Sequence, residues 1–371
     1  MSSTAEIFVA AALAAVGCSL AGVFLVLRRE SMLAEALSHA ILPGLVFGYW
    51  LVAGPSLIVG SLGALLAAIA ATAVILVLSV RFKISRDASI AFTFSAFFAF
   101  GVLLITAFFS NVHLDLDAVL FGELLLTPFE RMNIGGHDVG PRAWWVFGSL
   151  MIVQSAFLYF FCRSLKVASF DPTYAALIGF SPMLLGGLYL VMLSTAAVAA
   201  FSAVGAILSI ALIVAPVASA RLLSNRIPKI IVLSIVFALL AAWAGTAVAF
   251  ALDVSLSGMI ALTLGTKFIL VAVLSPRKGL LGHAIKSKRL QLHLAEWSLL
   301  KHLSAHQDDE EEECTLSHIH EVFGWRRSKL RRTLFMSKKH GWVEVAGDQL
   351  RITEKGKERV LQPVYDPHHF R

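Results

Sequence analysis

Glu35 and His39 stand four residues apart in EALSHAILPG, residues 35–44, within a stretch that is otherwise apolar. Residues at i and i+4 of a helix lie one above the other, so a carboxylate and an imidazole would share one face. An ionisable side chain inside a membrane-spanning segment is costly and by default marks a functional site. Pro43 follows one turn later, with Gly44 behind it. Proline removes a backbone donor and bends a helix, which leaves carbonyls free to face a ligand or a cavity. Carboxylate, imidazole and loosened backbone together make a transient seat for a divalent transition metal. The plainer alternative is that both side chains only hydrogen-bond to neighbouring helices; the pairing and the proline favour function.

Three further stretches carry chemistry. In NVHLDLDAVLFGELLLTP, residues 111–128, His113, Asp115 and Asp117 alternate ahead of an apolar helix ending near Pro128. The favoured reading is a polar rim with Asp115 or Asp117 as helix N-cap; the sharper alternative is an acidic vestibule that concentrates cations at the mouth. In ASFDPTYAALIGF, residues 168–180, Asp171 is placed as N-cap, Pro172 as first helical residue and Gly179 as the stop. This predicts a short helix at the membrane surface, suited to docking a partner. Lys267 lies ten residues before Arg277, about 15 Å into the last apolar run. It either snorkels away from the cation path or pairs with a carboxylate such as Glu35.

These residues need elements to hold them, and composition names the solvent. The chain has 371 residues, 58% hydrophobic and 15% charged, more apolar surface than a soluble domain requires. Apolar runs fall near 5–27, 34–53, 56–80, 88–110, 143–162, 183–201, 203–223, 228–250 and 257–275, about nine spans. Little polar sequence separates the sixth from the seventh. The first run is too long for a signal-peptide core, so it is expected to stay as a span. Arg28/Arg29, Arg81/Lys83/Arg86, Arg163/Lys166, Arg221/Arg226/Lys229 and Arg277/Lys278 all fall on one side. By the positive-inside rule the N-terminus is outside and the C-terminus cytoplasmic. His39 is then roughly 16 Å in from Arg28, near the bilayer middle.

Residues 1–275 carry a net charge of +2 and residues 276–371 carry +5, and composition shifts at Ser275-Pro276. The tail reads as a soluble α/β segment. An amphipathic helix covers 290–305, a second runs from Thr315 to Gly324, and a third, 326–340, carries Arg326, Arg327, Lys329, Arg331 and Arg332. Two alternating runs then flank Gly347-Asp348, a hairpin signal, before a Thr-capped helix. His302, His306, Cys314, His318 and His320 are metal-ligand types, but their spacing follows no standard zinc motif. With no phosphate-binding loop and no nucleophile constellation, the chain is not itself an ATPase.

The set LRRESMLAEALSHAILPGLVFG (27–48), LFGELL (120–125), FDPTYAALIGF (170–180), VGAILSIALIVAPVASARLL (204–223) and SPRKGLLG (275–282) resembles the membrane permease subunits of ABC importers for manganese, zinc and iron. The resemblance implies a permease dimer in the bacterial inner membrane, homo- or heterodimeric, with a separate ATP-binding cassette ATPase and an extracellular or periplasmic metal-binding protein. It implies that the helix with Asp171, Pro172, Ala175 and Gly179 couples to the ATPase. It places the family's acid–His pair at Glu35 and His39, with glutamate where the family usually has aspartate. The family's usual proline early in the last span is missing from DVSLSGMIAL. The tail resembles the winged helix-turn-helix of diphtheria-toxin-repressor-type regulators, whose basic helix meets DNA; protein or anionic lipid are the other contacts it suits.

The expected architecture is therefore an all-α polytopic permease domain, 1–283, followed by a small α/β winged-helix domain, 290–371. The expected function is import of divalent manganese, zinc or iron as cargo, with no permanently bound cofactor. A membrane-tethered metal-responsive transcription regulator and a metal-chelate importer are the alternatives.

Overall fold

The computed structural model describes residues 3–52, 57–108, 124–134, 137–276, 279–306 and 311–361. It forms two compact units, residues 1–278 and 279–371. Among the described residues nine helical segments are long and apolar enough to cross a membrane, all in the first unit. His113, Asp115 and Asp117 lie outside the described residues.

Helix α1 (Ser3–Leu27) is the hub of the first unit. It carries no polar stripe, and 78% of its most apolar window is buried, as expected of a helix that is hydrophobic all round. Its partners are α6 (Arg142–Phe170), α8 (Pro182–Leu223) and α9 (Ile227–Leu252). Between helices in lipid there is no water to expel, so association rests on close packing by small residues. Gly22 supplies it: a Cβ there would sit 1.8 Å from the Ile213 carbonyl oxygen, so α1 and α8 cross almost backbone to backbone.

The doubtful boundary between the sixth and seventh spans resolves at Gly205. The run Pro182–Leu223 is interrupted there, at φ 81° and ψ 170°. Tyr189 donates to the Ala21 carbonyl at 2.7 Å, and Arg221 donates to the Val26 carbonyl at 2.5 Å. A straight helix would separate residues 189 and 221 by about 48 Å. Both reach the same end of α1, so the chain doubles back at Gly205, where a left-handed φ favours glycine.

The remaining spans are α2 (Met32–Ala40) with α3 (Leu42–Val52), α4 (Leu57–Leu76), α5 (Arg86–Phe108) and α10 (Leu256–Leu274). Helix α4 closes in a π-helical turn, Val77–Arg81. Arginines gather at one end of the bundle. Arg28 donates to Ser169 Oγ at 2.9 Å and lies over the Tyr189 ring, and Arg86 pairs with Glu30 at 3.1 Å. Burial pushes the Glu30 carboxyl up, while Arg86 and Arg28 pull it down. At the other end two short antiparallel strands, β1 (Arg131–Ile134) and β2 (His137–Pro141), precede α6. Arg131 bridges Glu6 at 3.5 Å and Asp138 at 2.5 Å, so both of these carboxylates have a cationic partner. The Gly140 N–H, more than Arg131, holds the Asp138 carboxyl below its ordinary range.

In the second unit, α11 runs Leu280–His306 without a break. The helix expected over 290–305 therefore begins earlier, at Leu280; Lys286, Lys288 and Arg289 are good helix formers and no glycine or proline interrupts them. There follow α12 (Leu316–Phe323), capped by Thr315, and α13 (Arg327–Lys339). Strands β3 (Val343–Ala346) and β4 (Gln349–Ile352) pair antiparallel around Gly347-Asp348, and α14 (Glu354–Leu361) closes the unit. Leu299, Leu300, Leu303, Ile319, Leu330, Val343, Leu350 and Ile352 form its core.

Glu296 sits against that core, 2% exposed, with His293 at 3.3 Å and His340 at 4.0 Å. Burial pushes its carboxyl from the ordinary 4.5 up to about 7, with Arg359 opposing. Between those values the folded unit holds more proton than the unfolded chain, so stability is greatest below about 4.5 and falls as pH rises to about 7. The unfolding transition of this unit, followed in the full-length protein, should move to lower temperature between about pH 5 and about pH 8. Glu296→Gln should flatten that dependence; an unchanged slope would count against the assignment.

Candidate functional site

Glu35 occupies the first turn of α2 and His39 its last, which suits the helix dipole at both ends. Leu33, Ala34, Ala36, Leu37, Ser38 and Ala40 form the buried face, packed toward α5 and α8. Glu35 lies on the other side and is exposed on the surface of the chain. His39 is half-buried, its ring 5.1 Å from Phe94 and 5.5 Å from Phe98 of α5. The two aromatic rings pack against the imidazole from one side and set its orientation.

The helix is interrupted at Ile41, two residues ahead of the proline. Pro43 is four residues beyond His39 and has no N–H to give the His39 carbonyl; the Ile41 N–H is directed to it instead. Helical bonding resumes with the Leu45 N–H on Ile41, at 3.0 Å. The break thus falls on the backbone of the imidazole-bearing residue itself.

Gly44 has a different task from the loosened backbone expected of it. A Cβ on Gly44 would lie 2.1 Å from the Gly63 carbonyl oxygen, and one on Gly63 would lie 2.2 Å from that of Gly44. The two glycines bring α3 and α4 into backbone contact. Sequence reading passed over Gly63, although Gly44 and Gly48 four residues apart are a small-residue spacing that signals such a crossing. Beyond the crossing, α3, α4 and α5 enclose an apolar groove of about 800 Å³ that includes Pro43, Phe47, Trp50 and Phe100.

Lys267 does not engage Glu35. Its ammonium donates to the Phe237 carbonyl of α9 and lies over the Phe237 ring, 5.3 Å from the centroid. Carbonyl and ring satisfy the cation inside the bundle.

At the arginine-rich end, α7 (Pro172–Leu177) is a single short helix between α6 and α8. Asp171 Oδ1 accepts from the Tyr174 N–H at 2.9 Å, and Pro172 fills the first turn. Ala175 is fully buried, and Gly179 ends the helix at φ 88°, letting the Phe180 N–H reach back to the Ala175 carbonyl at 2.9 Å. Phe170, Tyr174, Leu177 and Ile178 stand exposed around it, an apolar patch on a rigidly capped turn. In the second unit Arg326, Arg327, Lys329, Arg331 and Arg332 are all exposed on or beside α13, with Lys329 over the Trp325 ring at 4.9 Å.

Residues 2–275 match the ABC 3 transport family. Zinc transport system membrane protein TroD of Treponema pallidum is 35% identical over 355 residues, covering 95% of this chain and 96% of TroD. Such a match takes in most of the second unit as well as the first. Manganese transport system membrane protein MntD of Bacillus subtilis is 34% identical over 297 residues, 78% of this chain and 98% of MntD. The solved structure of PsaBC from Streptococcus pneumoniae in complex with Fab is similar at a TM-score of 0.60 and 25% identity, covering 75% of this chain and 94% of that one.

The glycine crossing beside His39 yields a direct test. Gly44→Val or Gly63→Val must drive α3 from α4, an overpacking that costs about 1–3 kcal/mol. Either should lower the thermal midpoint of the detergent-solubilised protein, whereas Gly148→Val, with open space around it, should not. Equal midpoints for all three would refute the backbone contact.

Proposed function

This chain belongs to the ABC 3 transport family, and we propose that it is the membrane permease subunit of an ATP-driven importer of manganese, zinc or iron ions. The observation that carries this reading is the Glu35–His39 pair on a helix broken at the carbonyl of His39. The names of the relatives support the cargo, since one is a zinc and another a manganese transport protein. Oxygen and imidazole nitrogen suit all three metals, so the ligand types leave the choice among them open.

One carboxylate and one imidazole do not complete a coordination shell. That is appropriate for a station on a path: the metal must be held long enough to be selected and weakly enough to leave. Glu35 is exposed on its own chain, so a second permease subunit facing it would supply further ligands and cover a charge that lipid would not tolerate. The longer side chain of glutamate, where the family usually has aspartate, extends the reach of that oxygen by one methylene. The metal is cargo, not a resident cofactor.

The ATP-binding subunit would dock on α7, whose capped turn presents Tyr174 and Leu177 outward. The arginines gathered at that end support placing it, and the C-terminus, in the cytoplasm. A periplasmic or extracellular metal-binding protein would then deliver at the opposite end, where β1 and β2 lie. In vesicles reconstituted with the ATPase, ATP-dependent uptake of Mn²⁺, Zn²⁺ or Fe²⁺ should fall at least tenfold in Glu35→Ala and His39→Ala, with assembly intact (about 1.4 kcal/mol). Leu177→Glu should instead weaken ATPase association. Wild-type uptake in both intramembrane variants would overturn the site.

For the tail, where α11, α12, α13 and the β3–β4 hairpin follow in that order, we propose a winged-helix arrangement whose contact surface would be the exposed basic face of α13. If that face meets nucleic acid, full-length protein should bind duplex DNA with an affinity that falls steeply with salt, and Arg327→Glu with Arg331→Glu should abolish it. Absence of binding at low salt would leave a protein or lipid partner as the contact.

A further inference from the structure

His302, Glu313 and His318 come together in the second unit, with one ligand atom from each lying within 4.8 Å of the others. They arrive from three elements: His302 from the last turns of α11, Glu313 from the 3₁₀ turn Glu311–Cys314, and His318 from the first turn of α12. Thr315 caps α12 through the His318 N–H, which fixes where that imidazole starts.

The surroundings are those of a metal centre with an outer layer of contacts. His302 Nε2 lies 3.3 Å from the Glu313 carbonyl oxygen. Donation there puts the ring proton on Nε2 and leaves a lone pair on Nδ1, the arrangement by which ligating histidines are oriented. His306 Nδ1 is 2.8 Å from Glu313 Oε2, steadying the carboxylate from the far side. The His302 ring stacks on His318 at 5.8 Å and meets Phe323 edge-on at 5.6 Å. All four polar residues are half-buried, so an ion could reach them without unfolding the unit. In the sequence, Asp308 to Glu312 precede Glu313 directly, a run of negative charge that raises the local cation concentration.

We propose that His302, Glu313 and His318 form a binding site for a divalent transition metal of the zinc class, separate from the intramembrane pair and independent of the transport reading. Two imidazoles and one carboxylate select such an ion over magnesium or calcium, which prefer all-oxygen shells. Tetrahedral zinc at ordinary bond lengths holds its ligands about 3.4 Å apart. Binding therefore draws the three side chains inward by side-chain rotation and ties the end of α11 to the start of α12. A fourth position stays available to water or to His306. His320, exposed on the other side of α12, takes no part.

The test uses full-length protein in detergent, stripped with chelator, with His39→Ala introduced to disable the intramembrane pair. Zn²⁺ titrated against a chromogenic chelator should show one tight equivalent. His302→Gln and His318→Gln should each weaken it at least tenfold, and His320→Ala should leave it within twofold. Millimolar Mg²⁺ or Ca²⁺ should not displace it. Zinc K-edge absorption of the loaded His39→Ala protein needs no change in the tail and should show imidazole scattering in the first shell. An affinity within twofold in both His302→Gln and His318→Gln, displacement by Mg²⁺, or an all-oxygen shell would overturn the proposal.

Discussion

The near contact between the backbones of α1 and α8 at Gly22 and Ile213 is the constraint on which the first unit depends. With lipid outside, apolar residues gain little by facing one another, and helices hold together where their surfaces approach most closely. An all-round apolar α1 can therefore become an axle, with both arms of α8, and also α6 and α9, laid against it. Helix α2 buries its small and aliphatic face against α5 and α8, and Glu35 stands on its opposite, outward side. Exposure of the carboxylate follows from how the bundle is built.

Around His39 the same few residues do two jobs. Pro43 withdraws a hydrogen bond from the His39 carbonyl, and Gly44 brings α3 onto α4. A helix broken at that point would be loose if nothing re-anchored it. The reciprocal contact of Gly44 with Gly63 anchors the second half, while Phe94 and Phe98 fix the imidazole on the first. The break is thus held rigid from both sides.

Much of this was legible in the residue order, and the parts that were not share a cause. Hydropathy runs located nine spans because lipid demands about twenty apolar residues each time. Asp171, Pro172 and Gly179 announced α7 because caps act locally, through hydrogen bonds and φ angles that belong to single residues. The sixth and seventh spans were separable by length, but the residue at which the chain turns was not, because it has no polar loop; the left-handed φ of Gly205 and the contacts of Tyr189 and Arg221 with one end of α1 mark it. Lys267 was equally opaque, since its partner is a carbonyl, which no sequence pattern marks. The start of α11, expected at Leu290, lies at Leu280 because the residues ahead of the amphipathic stretch show no apolar periodicity of their own, yet continue the helix unbroken.

Metal chemistry divides along the same line. The proposed intramembrane pair, Glu35 and His39, is readable because the two sit four apart on one helix, and two such groups on one helix would offer only a partial shell. His302, Glu313 and His318 escape any spacing rule because three elements bring them together. A partial shell suits an ion in passage, whose release must not cost more than the conformational change that drives it. Three convergent ligands, with Glu313 steadied by His306 and His302 by a backbone carbonyl, suit an ion that stays. Ligand number and the rigidity behind each ligand, more than ligand identity, separate a place that metal passes through from a place where it rests.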